Sequence, residues 1–414
     1  MELFHLLTIL IVVSALFSYV NVRFLKLPDA IGIMLVSLFF SLIVLGVNEL
    51  KPTLFALTRQ TIRDIDFHYV LFDVMLCFLL FAGAYHADAA KLKVERRSII
   101  LFAFVGVLLC TFFVGTLLYW LAGWIGVALP YALCLLFGSL ISPTDPIAVL
   151  GILAKFKLPE SVKTNIVGES LFNDGVAVVI FATLYQVVLN GSSSIQAGEV
   201  LLIFLQEAGG GILFGALLGY GLFGLLRSIN HYQTEVLLTL AGVMGGYLLA
   251  HQLHVSGPLA MVVAGLFIGN RARQSAMSEE TGEYVDRFWE LLDVVLNAIL
   301  FVLIGVELLV IDFTASNLMI SALAIVIVLV SRYLSIIIPF TVARRWLDLD
   351  NKAPLMLTWG GLRGGLSIAM ALSIGKAVPD SDLIVSITYA VVLFSVVGQG
   401  LTMERLIKRL YPTG

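Results

Sequence analysis

Gly168-Glu169-Ser170-Leu171-Phe172-Asn173-Asp174-Gly175 lies inside an apolar stretch running from about Thr164 to Leu189, which places an ionisable carboxylate near the centre of a segment long enough to cross a bilayer. At about 1.5 Å of rise per residue, Asp174 stands roughly 15 Å from the start of that helix, about half of a hydrocarbon core roughly 30 Å thick. Holding a carboxylate at this depth costs on the order of 3 kcal/mol on insertion scales, so its default reading is an ion or proton site. Ser170 and Asp174 are four residues apart and share a helix face, whereas Glu169 and Asp174 are five apart and diverge by roughly 140°. The hydroxyl of Ser170 and the carboxylate of Asp174 therefore offer hard oxygen ligands suited to an alkali ion. Glu169 needs a partner elsewhere.

The rest of the chain has the same character. Of its 414 residues 60% are hydrophobic and 13% charged, against about 25% charged in ordinary soluble domains, which makes this an all-α polytopic membrane protein. A net charge of -3 with basic residues dispersed between apolar segments gives no nucleic-acid footprint. Cys77, Cys110 and Cys134 all fall in apolar segments, where a small apolar role outweighs a disulfide or a metal site. The first apolar segment follows Met1 and Glu2 without a basic leader region or a small-residue cleavage site, and reads as a retained span.

Apolar stretches broken at charged, Pro or Gly clusters give thirteen transmembrane segments, at about 3–20, 28–47, 67–86, 98–121, 130–152, 164–189, 199–226, 233–252, 256–270, 285–309, 317–340, 354–378 and 383–404. With the N-terminus outside, eighteen loop Lys and Arg residues fall on one side, and only Lys51, Arg59 and Arg63 on the other. The positive-inside rule then sets the N-terminus outside and the C-terminus in the cytoplasm, for a protein of the plasma membrane.

Two of these segments are interrupted. Ser142-Pro143-Thr144-Asp145-Pro146 breaks the fifth, because two prolines remove backbone donors and disfavour helix at the residues before them. Gly360-Gly361-Leu362-Arg363-Gly364-Gly365 loosens the twelfth. Interrupted helices at corresponding places in two halves point to a midplane site in an inverted-repeat transporter. Segments 1 to 6 would repeat as 8 to 13, entering from the opposite side. Asp145 and Arg363 then sit at broken helix ends, where each neutralises a facing half-helix dipole. Arg332, in the eleventh segment, matches Glu169 in depth. An unpaired buried charge is costly, so a Glu169–Arg332 ion pair joining two helices is the structural expectation for both.

Four motifs in this order, Ser-Pro-Thr-Asp-Pro, Gly-Glu-Ser-Leu-Phe-Asn-Asp-Gly, Ser331-Arg332 and Gly-Gly-Leu-Arg-Gly-Gly, resemble the signature of the NhaP-type sodium/proton antiporters, prokaryotic relatives of the eukaryotic sodium/proton exchangers. The resemblance covers essentially the whole chain. It implies a thirteen-helix inverted repeat with two broken helices that cross, a homodimer, and a mobile core moving against a static scaffold. The scaffold would comprise residues 1–90 and 198–312, and the core 98–190 and 317–410. Carried over by position, it implies Asp174 as the group that binds either Na+ or H+, with Ser170, Thr144 and Asp145 assisting and Asn173 supporting the unwound segments. Asp174, Ser170 and Thr144 would be the Na+ ligands, Glu169 and Arg332 the buried acid-base pair, and Arg363 the arginine of the second broken helix. Asparagine at 173 resembles the electroneutral branch, so 1:1 exchange is expected. The transported Na+ and H+ are cargo, and no cofactor is implied.

Other readings stay open at this point. Sodium, lithium and potassium all take oxygen ligands, so a potassium/proton antiporter or a cation channel would use the same residues. An intramembrane hydrolase is the alternative from another class, since Gly168-Glu169-Ser170 begins like a nucleophile elbow, but Phe172 stands where a glycine belongs and no histidine lies mid-span. Gly219, Gly221 and Gly224 match a dinucleotide-binding pattern without a preceding strand. Gly211, Gly215 and Gly219, spaced by four, read instead as a close-packing ridge. Glu290, Asp293 and Asn297 form one stripe on the tenth segment that would line a cytoplasmic funnel.

Overall fold

A computed structural model describes residues 3–47, 67, 69–153, 155–156, 158–190, 197–309, 315–375 and 378–412. Lys51, Arg59 and Arg63, the basic residues expected on the outer side, and Lys157 on the other, lie outside the described residues. Helix occupies each of the thirteen expected segments, and among the described residues there is no strand beyond an isolated two-residue bridge.

Among the described residues, ten helices are long and apolar enough to cross a membrane. They are α1 (Leu7–Leu25), α2 (Asp29–Gly46), α3 (Tyr69–His86), α4 (Arg96–Trp124), α6 (Glu160–Asn190), α7 (Leu202–Arg227), α8 (Tyr232–Gln252), α10 (Glu279–Glu307), α11 (Asn317–Trp346) and α13 (Ser381–Leu410). The fifth segment is split into α5a (Tyr131–Ile141) and α5b (Ile147–Leu153), and the twelfth into α12a (Ala353–Gly360) and α12b (Gly365–Ser373). Between α8 and α10 lies the shorter α9 (Gly257–Leu266), which starts on a Ser256 hydroxyl accepting from Leu259 N–H and on Pro258 in the first turn. In a bilayer every backbone polar group must be satisfied within the protein, which restricts an open chain of this composition to helices.

Packing sorts these helices into two groups. α4 lies against α5a and α11, α6 against α5a, and α11 against α13. α3 and α7 lie against α9, and α10 against α2. The groups meet where α6 touches α7 and α9 and where α10 touches α12b. Small residues set the closest approaches. A Cβ on Gly115 would stand 2.8 Å from the Leu135 Cα, so α4 and α5a touch backbone to backbone. The same holds for α7 on α9, where a Cβ on Gly211 would come within 2.6 Å of the Ser256 carbonyl and one on Gly215 within 2.8 Å of the Ala260 Cα. The four-residue glycine ridge is thus a packing seam, while Gly221 and Gly224 face open space.

Basic helix ends gather at one face. Lys91, on the short helix Ala89–Val94, pairs with Glu160 at the start of α6 at 3.0 Å. Lys408 at the end of α13 lies over the Phe156 ring. Large apolar side chains such as Leu16, Phe39 and Leu213 are exposed in the isolated chain, a surface that calls for lipid or another apolar partner.

Candidate ion site

The two interruptions lie against each other. Asp145 N–H donates to the Leu362 carbonyl at 2.7 Å, forming an antiparallel bridge between the unwound segments. The prolines explain one side of this arrangement: Pro143 and Pro146 carry no donors, so the carbonyls at the end of α5a are left over. Arg363 takes them. Its guanidinium Nη1 donates to the Ser142 carbonyl at 2.6 Å and to the Pro143 carbonyl at 2.9 Å, placing a buried cation at the negative end of α5a. In return, Asp145 sits beside Gly364, the N-cap of α12b; a Cβ on Gly364 would stand 2.6 Å from Asp145 Oδ2. The acid faces the positive end of one half-helix and the base faces the negative end of the other, as expected from the sequence.

α6 stitches this crossing from the side. Asn173 Nδ2 donates to the Thr144 hydroxyl at 2.8 Å, and Asn173 Oδ1 accepts from Thr144 N–H at 3.3 Å. Its amide therefore replaces the helical partners that Thr144 loses in the break. Ser170 Oγ donates to the Thr144 carbonyl, leaving its lone pairs unused by that bond. On the glycine side, Arg363 N–H donates to Ser395 Oγ at 2.9 Å, Ser395 donates to Gln399 Oε1 at 2.6 Å, and Gln399 Nε2 reaches the Trp359 carbonyl. Ser395 and Gln399 belong to a π-helical turn, Phe394–Gln399, within α13. Sequence reading missed both residues; the available signal was a polar pair four apart in an apolar helix.

Asp174 lines a cavity of about 340 Å³ together with Thr144, Asp145 and Ser170. The cavity continues past Asp293 and Asn297 of α10 to His86 at the exposed end of α3. Two of the three residues expected to form a polar stripe line it, and the third, Glu290, is exposed and does not. Asn173 is also absent from the lining, because its side chain is buried in the Thr144 contact. Four of the five expected ion-site residues thus converge on one space, and the fifth holds the break behind them.

Glu169 points away from this cavity. Its Oε1 lies 2.6 Å from Arg332 Nη1, and both side chains are buried. Arg332 Nη2 also donates to the Leu357 carbonyl in α12a at 3.4 Å. The pair ties α6 to α11 and α12a, matching the depth argument from sequence. Ser170 donates its hydroxyl hydrogen to a backbone carbonyl and bonds no histidine among the described residues, unlike the serine of an activated nucleophile.

Comparison with known proteins places this site in a family. The family described as "Sodium/hydrogen exchanger, transmembrane" matches residues 11–409. The chain belongs to that family. It is 49% identical over 406 residues to the Na(+)/H(+) antiporter NhaP of Pseudomonas aeruginosa, covering 97% of this chain and 95% of that protein. Against the Na(+)/H(+) antiporter NhaH of Halobacillus dabanensis it is 35% identical, with 94% and 93% covered. Among solved structures, the sodium proton antiporter MjNhaP1 of Methanocaldococcus jannaschii at pH 8 aligns over 99% of each chain with a TM-score of 0.73 at 20% identity. That similarity establishes the fold, an all-helical exchanger architecture with two broken segments.

Proposed function

We propose that this protein is a secondary antiporter that exchanges Na+ for H+ across the plasma membrane, one for one, with Asp174 as the group that carries either ion. The carrying observation is the placement of Asp174 in a cavity that reaches an exposed helix end, beside a crossing whose own charges are already matched. Asp145 faces one half-helix end and Arg363 the other, which leaves Asp174 as the carboxylate beside the crossing that has no ion pair among the described residues, with Asp293 of α10 further along the same cavity. Proton and cation compete for it, because each neutralises the charge that the other requires. Competition combined with alternating access is sufficient for coupled exchange.

The remaining roles follow from position. The Ser170 and Thr144 hydroxyls and the Asp145 carboxylate line the same cavity and supply the oxygens that a dehydrated alkali ion needs. Asn173 acts as a neutral amide occupied on both sides by Thr144, so one titratable group moves one charge. Glu169 and Arg332 are structural. Names of relatives at 49% and 35% identity support sodium as the cation; potassium or lithium would be handled by the same oxygens. The division into a core of residues 98–190 and 317–410 and a scaffold of 1–90 and 198–312, assembled as a homodimer, is supported by the way the helices sort in packing. With the basic face in the cytoplasm, the N-terminus is outside and the cavity opens inward.

Cation-driven pH change in proteoliposomes tests the assignment. Native protein acidifies or alkalises the lumen in proportion to Na+ moved, and Asp174→Asn abolishes exchange while its thermal midpoint is retained. Coupled exchange persisting in Asp174→Asn would refute the role of this carboxylate. A net current accompanying transport by the native protein would overturn the one-for-one ratio, and a current without proton movement would make it a channel.

A further inference from the structure

A second built feature lies on the lipid-facing side of α4 and α11, away from the ion cavity. Between the two helices runs a groove of about 660 Å³, walled by Leu101, Val105 and Leu109 on α4 and by Ile338 and Val342 on α11. It is open to the bilayer, since Val342 is 80% exposed and Trp346 71%. From Arg97 to Leu109 it follows α4 for twelve residues, roughly 18 Å, against about 15 Å for the hydrocarbon of one leaflet. Its depth is that of a single acyl chain layer.

At its polar end the groove runs into a smaller pocket of about 280 Å³, and Arg97, Trp346 and Leu347 line both. Lys93 and Arg96 line the pocket as well. Lys93, Arg96 and Arg97 are exposed and form no ion pair among the described residues. Two acids share the pocket, Glu95 and Asp348. Glu95 is buried, and its Oε2 accepts from Asn165 Nδ2 at 3.0 Å and Ser98 Oγ at 3.2 Å, so it is committed to the protein interior. Asp348 is exposed, leaving three basic side chains against one outward-facing acid. Trp346 stands where the apolar groove becomes polar, the level at which indole rings prefer to sit in a membrane.

We propose that this groove and pocket form a binding site for an anionic glycerophospholipid of the leaflet on the basic face, with an acyl chain between α4 and α11 and the phosphate headgroup against Lys93, Arg96 and Arg97. Charge selects the class. Arginine pairs planar and bidentate with phosphate oxygens, and a headgroup without an amine adds no cation to oppose the three already present. Groove length selects a lipid over a free phosphate. The site bridges the two helices that support the ion site from outside: α4 carries Cys110, whose sulfur lies 3.9 Å from Arg363 Nη2, and α11 carries Arg332. A bound lipid holds them side by side.

Native mass spectrometry of delipidated protein in detergent, titrated with phosphatidylglycerol or phosphatidylcholine of identical chains, tests this. Phosphatidylglycerol is retained in preference, and Arg96→Gln with Arg97→Gln lowers that preference about 25-fold, at about fivefold per charge. Val342→Trp fills the groove with all charges intact and removes one retained phosphatidylglycerol per chain, and its exposed, lipid-facing position guards against misfolding, checked by an unchanged lipid-free thermal midpoint. Equal retention of the two lipids, or an undiminished preference in the double variant, overturns the proposal. Displacement of the lipid by glycerol 3-phosphate also overturns it, since that result describes a phosphate site that makes no use of the groove.

Discussion

The two interrupted helices solve the same problem by opposite chemistry. In the fifth segment, proline deletes donors and leaves carbonyls, so the break is rich in acceptors and draws the cation of Arg363 onto Ser142 and Pro143. In the twelfth, glycine retains the N–H groups and frees the backbone, so the break ends in a half-helix N-terminus and draws the anion of Asp145. One break is deficient in donors and the other supplies one of its own through Arg363 N–H to Ser395. The lesson is that a pair of broken helices in a membrane balances best when the breaks are unlike: each is complementary to the other, and Asp145 N–H to Leu362 carbonyl joins them directly.

Substitutions that disturb one break at a time expose this difference. The largest structural effect is expected from Arg332→Gln, which undercuts the glycine side and strands Glu169 as a buried, unpaired acid, for a loss of about 3–5 kcal/mol. Thermal unfolding in detergent measures it, and the double variant Glu169→Gln with Arg332→Gln should recover most of the loss. If the single and double variants unfold alike, the ion pair is not what holds α6 to α11. Next comes Arg363→Gln, which strips the charge from the proline side and weakens two carbonyl contacts, at about 2–3 kcal/mol; a midpoint equal to native would show that α5a ends without need of a cation. Gly364→Ala is the mildest. Its Cβ would press on Asp145 at 2.6 Å, and overpacking of this kind costs about 1–3 kcal/mol. Because the displaced group is a cavity-lining carboxylate, exchange should slow more than stability falls, and the reverse ranking would argue that Asp145 serves only the helix end.

Much of this was legible before any coordinates. Glu169 and Arg332 announce themselves, since two charges at matching depth in apolar helices have few alternatives to each other. Asp174 and Ser170 share a face by simple helical spacing, and the prolines and glycines mark both breaks. The sequence is silent where geometry departs from regular repeats. The π turn at Phe394–Gln399 inserts an extra residue into the hydrogen-bond ladder and brings Ser395 under Arg363 N–H, a register that a 3.6-residue period does not anticipate. Glu290 falls outside the cavity by depth and not by face: it shares nearly the same side of α10 as Asn297 but stands about two turns nearer the Glu279 end, where its side chain is exposed. Asn173 is expected to support the unwound segments, and its amide is spent on Thr144 in the first of them, which keeps it out of the cavity lining.

The bridge from Asp145 to Leu362 fastens the two breaks into one piece, and Asn173 ties the first of them to α6. Whichever compartment such a piece is turned toward, the oxygens around Asp174 travel with it in unchanged register. Under the proposed exchange, discrimination among alkali ions would then be the same from inside and outside.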